Sequence, residues 1–182
     1  MGCNQPNKKA ISKKAIGNKT DSLRAIKRRE IEKKWLADSL KNEKVVTDVI
    51  AFIKTRQIKS FDKIIRIWKD TSISAYVKVG HLFSKKLKHI FIRTHAGWKL
   101  TIYVYRLDNL KREITDDWSD LTYIGDEIKD INGDGLKDLS INWYPSSGCC
   151  ARNNFHIYLY TESDKFTKYF DFINPTFYPN ES

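Results

Sequence analysis

Nine residues, Asp130-Ile131-Asn132-Gly133-Asp134-Gly135-Leu136-Lys137-Asp138, place oxygen-bearing side chains at positions 1, 3, 5 and 9 and glycine at position 6. A hard divalent cation such as calcium takes about six to eight oxygen ligands, and its loops put glycine where the chain turns sharply. Asp130, Asn132, Asp134 and Asp138 offer four side-chain arms, the Leu136 carbonyl offers a fifth, and water completes the shell. An ordinary Asn-Gly or Asp-Gly turn between strands is the simpler reading. Such a turn needs none of the additional acids, and three carboxylates on so short a loop repel one another unless a cation neutralises them. The loop is therefore expected to bind Ca2+. It departs from the EF-hand, which places a bidentate Glu at position 12. Here position 12 is Ile141, inside the strand-like alternation Leu139, Ile141, Trp143.

Other chemistry is weakly marked. His81, His89, His95 and His156 lack metal-ligand spacing and are expected in turns or at the surface. Asp116 and Asp117 are adjacent, so in a strand they point to opposite faces. Ser146-Ser147-Gly148 lacks the strand–turn–helix setting of a nucleophile elbow, and no glycine-rich phosphate loop is present. The expectation is a non-enzymatic protein with no catalytic residues. Cys149-Cys150 leave three states open: a strained vicinal disulfide, two reduced thiols in a turn, or pairing with another chain.

The elements that must position the loop follow from periodicity. Asp21 or Ser22 can cap a helix running to about Leu40, with Leu23, Ile26, Ile31, Trp35, Leu36 and Leu40 near one face. Asn42 is expected to interrupt it before a second helical group formed by Val45, Val46, Val49, Ile50, Phe52 and Ile53. Ile64, Ile65, Ile67 and Trp68 are ambiguous between strand and helical turn. Short β segments then follow at 75–79, 90–94, 100–106, 113–115, 121–124, 139–143, 155–160 and 166–172. His95-Ala96-Gly97-Trp98 is expected to turn a hairpin. The fold class is α+β: an N-terminal helical arm, then an antiparallel β meander forming a sandwich or a small, partial propeller-like arrangement. Residues 1–20 are expected to be a disordered tether, 21–60 a basic helical segment, and 61–182 a β-rich calcium-binding domain.

The net charge of +11 is unevenly distributed. Residues 1–60 hold 16 Lys and Arg against 6 Asp and Glu, whereas the remainder holds 17 against 16. A basic helix can simply be a solvated amphipathic helix beside a tether, lie on an anionic membrane surface or grip phosphates. Nothing resembling a recognition motif interleaves aromatics with its basic residues, so nucleic acid is not an expected partner. No apolar run reaches the roughly 18–20 residues of a membrane-spanning helix. Between Glu113 and Asp138 nine acids face only Lys129 and Lys137, which makes an acidic surface around the loop.

The loop and its following strand resemble the FG-GAP and VCBS-type calcium loops of propeller-like β proteins. With Asn142-Trp143-Tyr144-Pro145-Ser146-Ser147-Gly148-Cys149-Cys150, Tyr158-Leu159-Tyr160 and Phe172-Ile173-Asn174-Pro175-Thr176-Phe177, residues 80–182 resemble a group of largely uncharacterised bacterial envelope lipoproteins. The start Met1-Gly2-Cys3 before a polar, Lys-rich stretch looks like the mature end of such a lipoprotein, with Cys3 as its lipidation site and Met-Gly replacing a signal peptide. The resemblance implies a lipid-anchored protein of the cell envelope, periplasm-facing or at the surface, that binds an envelope protein or glycan. It also implies an alternative, a calcium-dependent inhibitor or immunity protein against a lysozyme-type cell-wall hydrolase. A further alternative is an enzyme of cell-wall or glycan chemistry using Asp116, Asp117, Asp120 or Glu127, which requires two such acids to face one pocket.

Overall fold

The computed structural model describes residues 9–66, 74–118, 121–145, 152–167 and 170–173. Helix α1 (Lys9–Thr55) precedes strands β1 (Phe61–Arg66), β2 (Ser74–Gly80), β3 (His89–Ala96), β4 (Lys99–Arg106) and β5 (Arg112–Asp117). Strands β6 (Leu121–Lys129), β7 (Asp138–Pro145), β8 (Asn154–Tyr158) and β9 (Phe170–Ile173) follow. Each strand pairs antiparallel with its sequence neighbour in two sheets, β1-β2-β3-β4-β5 and β6-β7-β8-β9. The expected α+β class is present as one helix followed by antiparallel strands in two sheets.

Strands β3 and β4 carry unbroken apolar runs, Ile90-Phe91-Ile92 and Ile102-Tyr103-Val104-Tyr105. Successive side chains in a strand point to opposite faces, so a run of this kind needs cover on both sides. One face gathers Ile90, Ile92, Tyr103 and Tyr105 with Ala75, Val77 and Val79, and it packs against Val45, Val46, Val49 and Ile53 of α1. The other face gathers Phe91, Ile102, Val104 and Ile114, and it packs with Leu139, Ile141, Trp143 and Tyr158 of the second sheet. Each Val or Ile fully buried in this way contributes about 1.5–3 kcal/mol.

The helix is continuous from Lys9 to Thr55. It starts within the stretch expected to be a tether, ahead of the cap expected at Asp21 or Ser22. It also runs through Asn42, where a break was expected. Asn42 is fully buried, and its Nδ2 donates to the Lys99 carbonyl at 3.1 Å and to Thr101 Oγ1 at 3.2 Å. An asparagine so bound by strand β4 does not compete for its own helix backbone, which is how such residues otherwise end helices. The end of α1 is set by Gln57 at φ 49°, with Ile58 N–H donating to Ile53 O and Gln57 N–H to Lys54 O, both 3.1 Å. This is a Schellman stop, closed by Ile58 packing on the apolar cluster beneath the helix.

Residues Met1–Ala37 and Asp38–Ser182 form two compact units. In the first, Leu23, Ile26, Ile31 and Leu36 are exposed. At 3.6 residues per turn they spread around the axis and do not share the face expected of them. Arg28 pairs with Glu32 one turn on, at 3.5 Å, on the surface. In the second unit, Asp38 and Asn42 peg α1 to the β3–β4 hairpin. Trp98 N–H donates to Asp38 Oδ2 at 3.1 Å, and Glu43 holds Arg112 through two bonds of 3.0 and 2.6 Å.

The hairpin turn carries the tightest backbone constraint of this layer. Gly97 has φ +60°, and a Cβ there would lie 2.4 Å from Asp38 Oδ2. Gly97→Ala is expected to cost roughly 2–3 kcal/mol, from strain at positive φ and displacement of Asp38. Urea unfolding of both proteins measures it; an unchanged midpoint contradicts the contact.

Candidate metal loop and the adjoining cavity

Loop 130–138 leaves the edge strand β6 and enters β7, which lies between β6 and β8 in its sheet. Its side chains bind its own backbone. Asp130 accepts from Gly133 N–H at 2.7 Å and from Gly135 N–H at 2.8 Å. Asn132 Oδ1 accepts from Asp134 N–H at 3.2 Å, and Asp134 Oδ1 accepts from Leu136 N–H at 2.8 Å. This succession of Asx turns requires left-handed backbone at the two glycines, and Gly133 and Gly135 stand at φ +81° and +80°. Asn132 Nδ2 also donates to Asp134 Oδ2 at 2.9 Å.

Asp138 behaves differently. It is fully buried; Oδ2 accepts from Ile131 N–H at 2.9 Å and Oδ1 from Tyr160 N–H at 2.8 Å. One carboxylate therefore closes the loop onto its first turn and joins it to the chain beyond β8. Burial pushes its pKa up, the two backbone donors pull it back, and the charges of Asp134 and Asp130 add to the rise.

The donor set is all oxygen, as a hard cation requires. Carboxylate oxygens that accept one N–H keep a second lone pair. Among the described residues, no group of three or more His, Cys, Asp or Glu side chains converges as it stands on one metal position. Asp130, Asn132, Asp134 and the Leu136 carbonyl lie on the exposed outer turn, whereas Asp138 lies beneath it. Closing on one ion requires the outer side chains to turn inward from their present bonds.

A cavity of about 580 Å³ adjoins the end of the loop, between segment 81–86, loop residues 135–137 and turn 161–164. Lys137 N–H donates to the Phe83 carbonyl at 3.2 Å and so fixes one wall to another. Behind it Phe83, Tyr160, Phe166 and His89 form an aromatic cluster with ring centroids 4.8–6.2 Å apart.

The histidines correct the sequence reading. His81 and His95 are exposed as expected, but His89 and His156 are buried. His156 Nδ1 lies 2.7 Å from Asp116 Oδ2, which also accepts from Tyr158 O–H at 2.6 Å, and Trp118 stacks on its ring at 4.7 Å. The sequence signal for this was alternation: His156 and Tyr158 are two apart on β8 and share the inward face. His89 lies 3.6 Å from Glu113 Oε2, beyond hydrogen-bond length. Burial, with Arg106 nearby, lowers its pKa from 6.5 to about 4, and burial raises that of Glu113.

Of the four acids weighed for catalysis, the three that are described, Asp116, Asp117 and Glu127, do not meet. Asp116 is buried against His156, Asp117 pairs with Lys99 at 3.2 Å, and Glu127 pairs with Lys129 at 2.7 Å. Asp120 lies outside the described residues, as do Cys3, Cys149, Cys150, Ser146 and Ser147. Glu127 and Asp126 line a shallow cavity of about 400 Å³ with Ser140 and Asn142, but Asp126 is already bound by Arg93 and Tyr123.

Compared with models of protein families, with curated proteins and with solved structures, the chain finds no match in any of the three.

Asp138→Ala is expected to destabilise the fold by about 3 kcal/mol, metal or no metal, because the buried Tyr160 N–H and the half-buried Ile131 N–H lose their acceptor. Denaturant unfolding in chelator measures this, and a loss below about 1 kcal/mol contradicts it. The His89 shift has a pH signature. Below 6.5 the unfolded chain takes up a proton that folded His89 refuses down to about 4, so its contribution is complete above 6.5 and stability falls with pH across that window. Glu113 runs oppositely above its ordinary 4.5, since its folded form holds the proton longer. His89→Phe should flatten the melting temperature between pH 4 and 6.5; an unchanged slope refutes the assignment.

Proposed function

We propose that this chain is a non-enzymatic, calcium-stabilised binding module of the bacterial cell envelope, lipid-anchored through Cys3. The observation that carries the reading is the loop itself. Asp130, Asn132, Asp134 and Asp138, with the Leu136 carbonyl, put five oxygen donors on nine residues, and two left-handed glycines already bend the backbone around them. Calcium would neutralise three carboxylates whose mutual repulsion works against the closed loop, so binding would add directly to folding free energy. Its role is to fix the entry of β7 and the wall that residues 135–137 give the adjoining cavity. Two sheets sharing one apolar core favour a sandwich over a propeller. The partner is an envelope protein or glycan; a basic lysozyme-type hydrolase is the alternative, although of the acids from Glu113 to Asp138 the fold buries Asp116 and Asp138 and pairs Asp117, Asp126 and Glu127 with basic side chains.

The test is thermal unfolding of metal-stripped protein with calcium, with magnesium and with chelator. Calcium should raise the melting temperature of the native chain, by about 2.7 kcal/mol of stability at a hundredfold excess over Kd. Asp134→Ala, an exposed position, should abolish that rise and leave the chelated protein nearly unchanged. Equal loss for Asp134→Ala with and without calcium contradicts a metal role.

A further inference from the structure

The cavity beside the loop is assembled from three segments far apart in sequence, and its charges are unbalanced. Lys85 and Lys86 come from the connection between β2 and β3, Lys137 from the loop, and Glu162 and Asp164 from the turn after Tyr160. Within the described residues none of the three lysines makes an ion pair, and none reaches Glu162 or Asp164 within the 4.0 Å of a salt bridge. Three ammonium groups and two carboxylates therefore line one cavity without pairing. The volume, about 580 Å³, falls in the range that buries small organic ligands.

A ligand that satisfies such walls carries net negative charge for the lysines and several hydroxyl donors for the carboxylates. A neutral zwitterion leaves the excess lysine charge unmet, and a bare inorganic anion leaves the acids repelling it. We propose that this cavity is a binding site for an anionic sugar, one bearing a phosphate or carboxylate group. Lys85, Lys86 and Lys137 take the anion, and Glu162 and Asp164 accept hydrogen bonds from its hydroxyls. Ser84, whose Oγ caps the 84–87 turn by accepting from Lys86 and Leu87 N–H at 3.0 and 3.1 Å, holds the two lysines' backbone in place. The site names the ligand class of the binding module proposed above and rests on that reading for its purpose. Its chemistry does not require calcium.

The probes are glucose 6-phosphate, glucuronate, glucose and inorganic phosphate, titrated calorimetrically into the full chain with calcium and again with chelator. Glucose 6-phosphate or glucuronate should bind at least about tenfold more tightly than glucose and phosphate, and comparison of the two tells which anion is preferred. Lys137→Gln should weaken it about tenfold, as expected for one lost charged contact, and Lys85→Gln combined with Lys86→Gln, which removes two, about a hundredfold. Glu162→Gln, which keeps an acceptor but removes a charge that repels anions, should narrow the advantage of the sugar over bare phosphate. These are surface substitutions, and unchanged melting temperatures confirm that each variant is folded. No binding of either anionic sugar, phosphate binding as tightly as the sugars, or affinity indifferent to all three lysines overturns the site. A calcium-raised melting temperature with no sugar binding rejects this site and leaves the metal reading standing; sugar binding without any calcium effect does the reverse.

Discussion

The structure of the second half of the chain depends on one buried carboxylate. Asp138 is the last residue of the loop and the first of β7, and it accepts one N–H from the start of the loop and one from Tyr160. Taking a carboxylate out of water is costly, and two backbone donors offset that cost without a counter-charge. The same contact sets three things at once: the closure of the loop, the register with which β7 enters its sheet, and the position of Tyr160 in the aromatic cluster under the cavity. Asp130 and Asp134 add repulsion to a charge already held at a disadvantage. A cation in the loop would turn that repulsion into attraction.

Around this point the fold is an answer to apolar runs that need two covers. The β3 and β4 strands cannot face water on either side, so the first sheet lies between the second half of α1 and the second sheet. The polar contacts between helix and sheet are directed, buried at Asn42 and Asp38 and at the surface for Glu43 and Arg112. Asn42 and Asp38 bind the β3–β4 hairpin, and Arg112 lies over the rings of Tyr103 and Tyr105 while bonded to Glu43. Such contacts add little apolar burial but fix where the helix sits along the strands.

The strands were legible from the sequence because alternation and turn residues are local signals. Gly97 in its hairpin and the glycines of the loop stand where their neighbours' types required them. The helix was misread at Asn42 because its partner is the Lys99–Thr101 segment, more than fifty residues away. The same applies to His89 and His156: nothing adjacent to either residue foretells Glu113 or Asp116. The loop's donors were legible as types and spacing. Their present bonds to the loop's own backbone were not, because a metal-binding loop and a self-bonded Asx loop call for the same residues. The cavity is wholly non-local, since segment 81–86, loop residues 135–137 and turn 161–164 meet only in the folded chain.

The central claim is that the loop around Asp138 is a calcium site, and it is most directly tested by where calcium acts. Amide NMR spectra of metal-stripped protein, titrated with calcium, should show Gly133, Gly135 and Leu136 moving most and saturating at one ion per chain. Their N–H groups are held by the side chains that must turn to bind the ion. Unmoved loop amides at saturating calcium, or the largest shifts at some other acidic surface, would contradict the account and reduce the motif to a self-bonded turn.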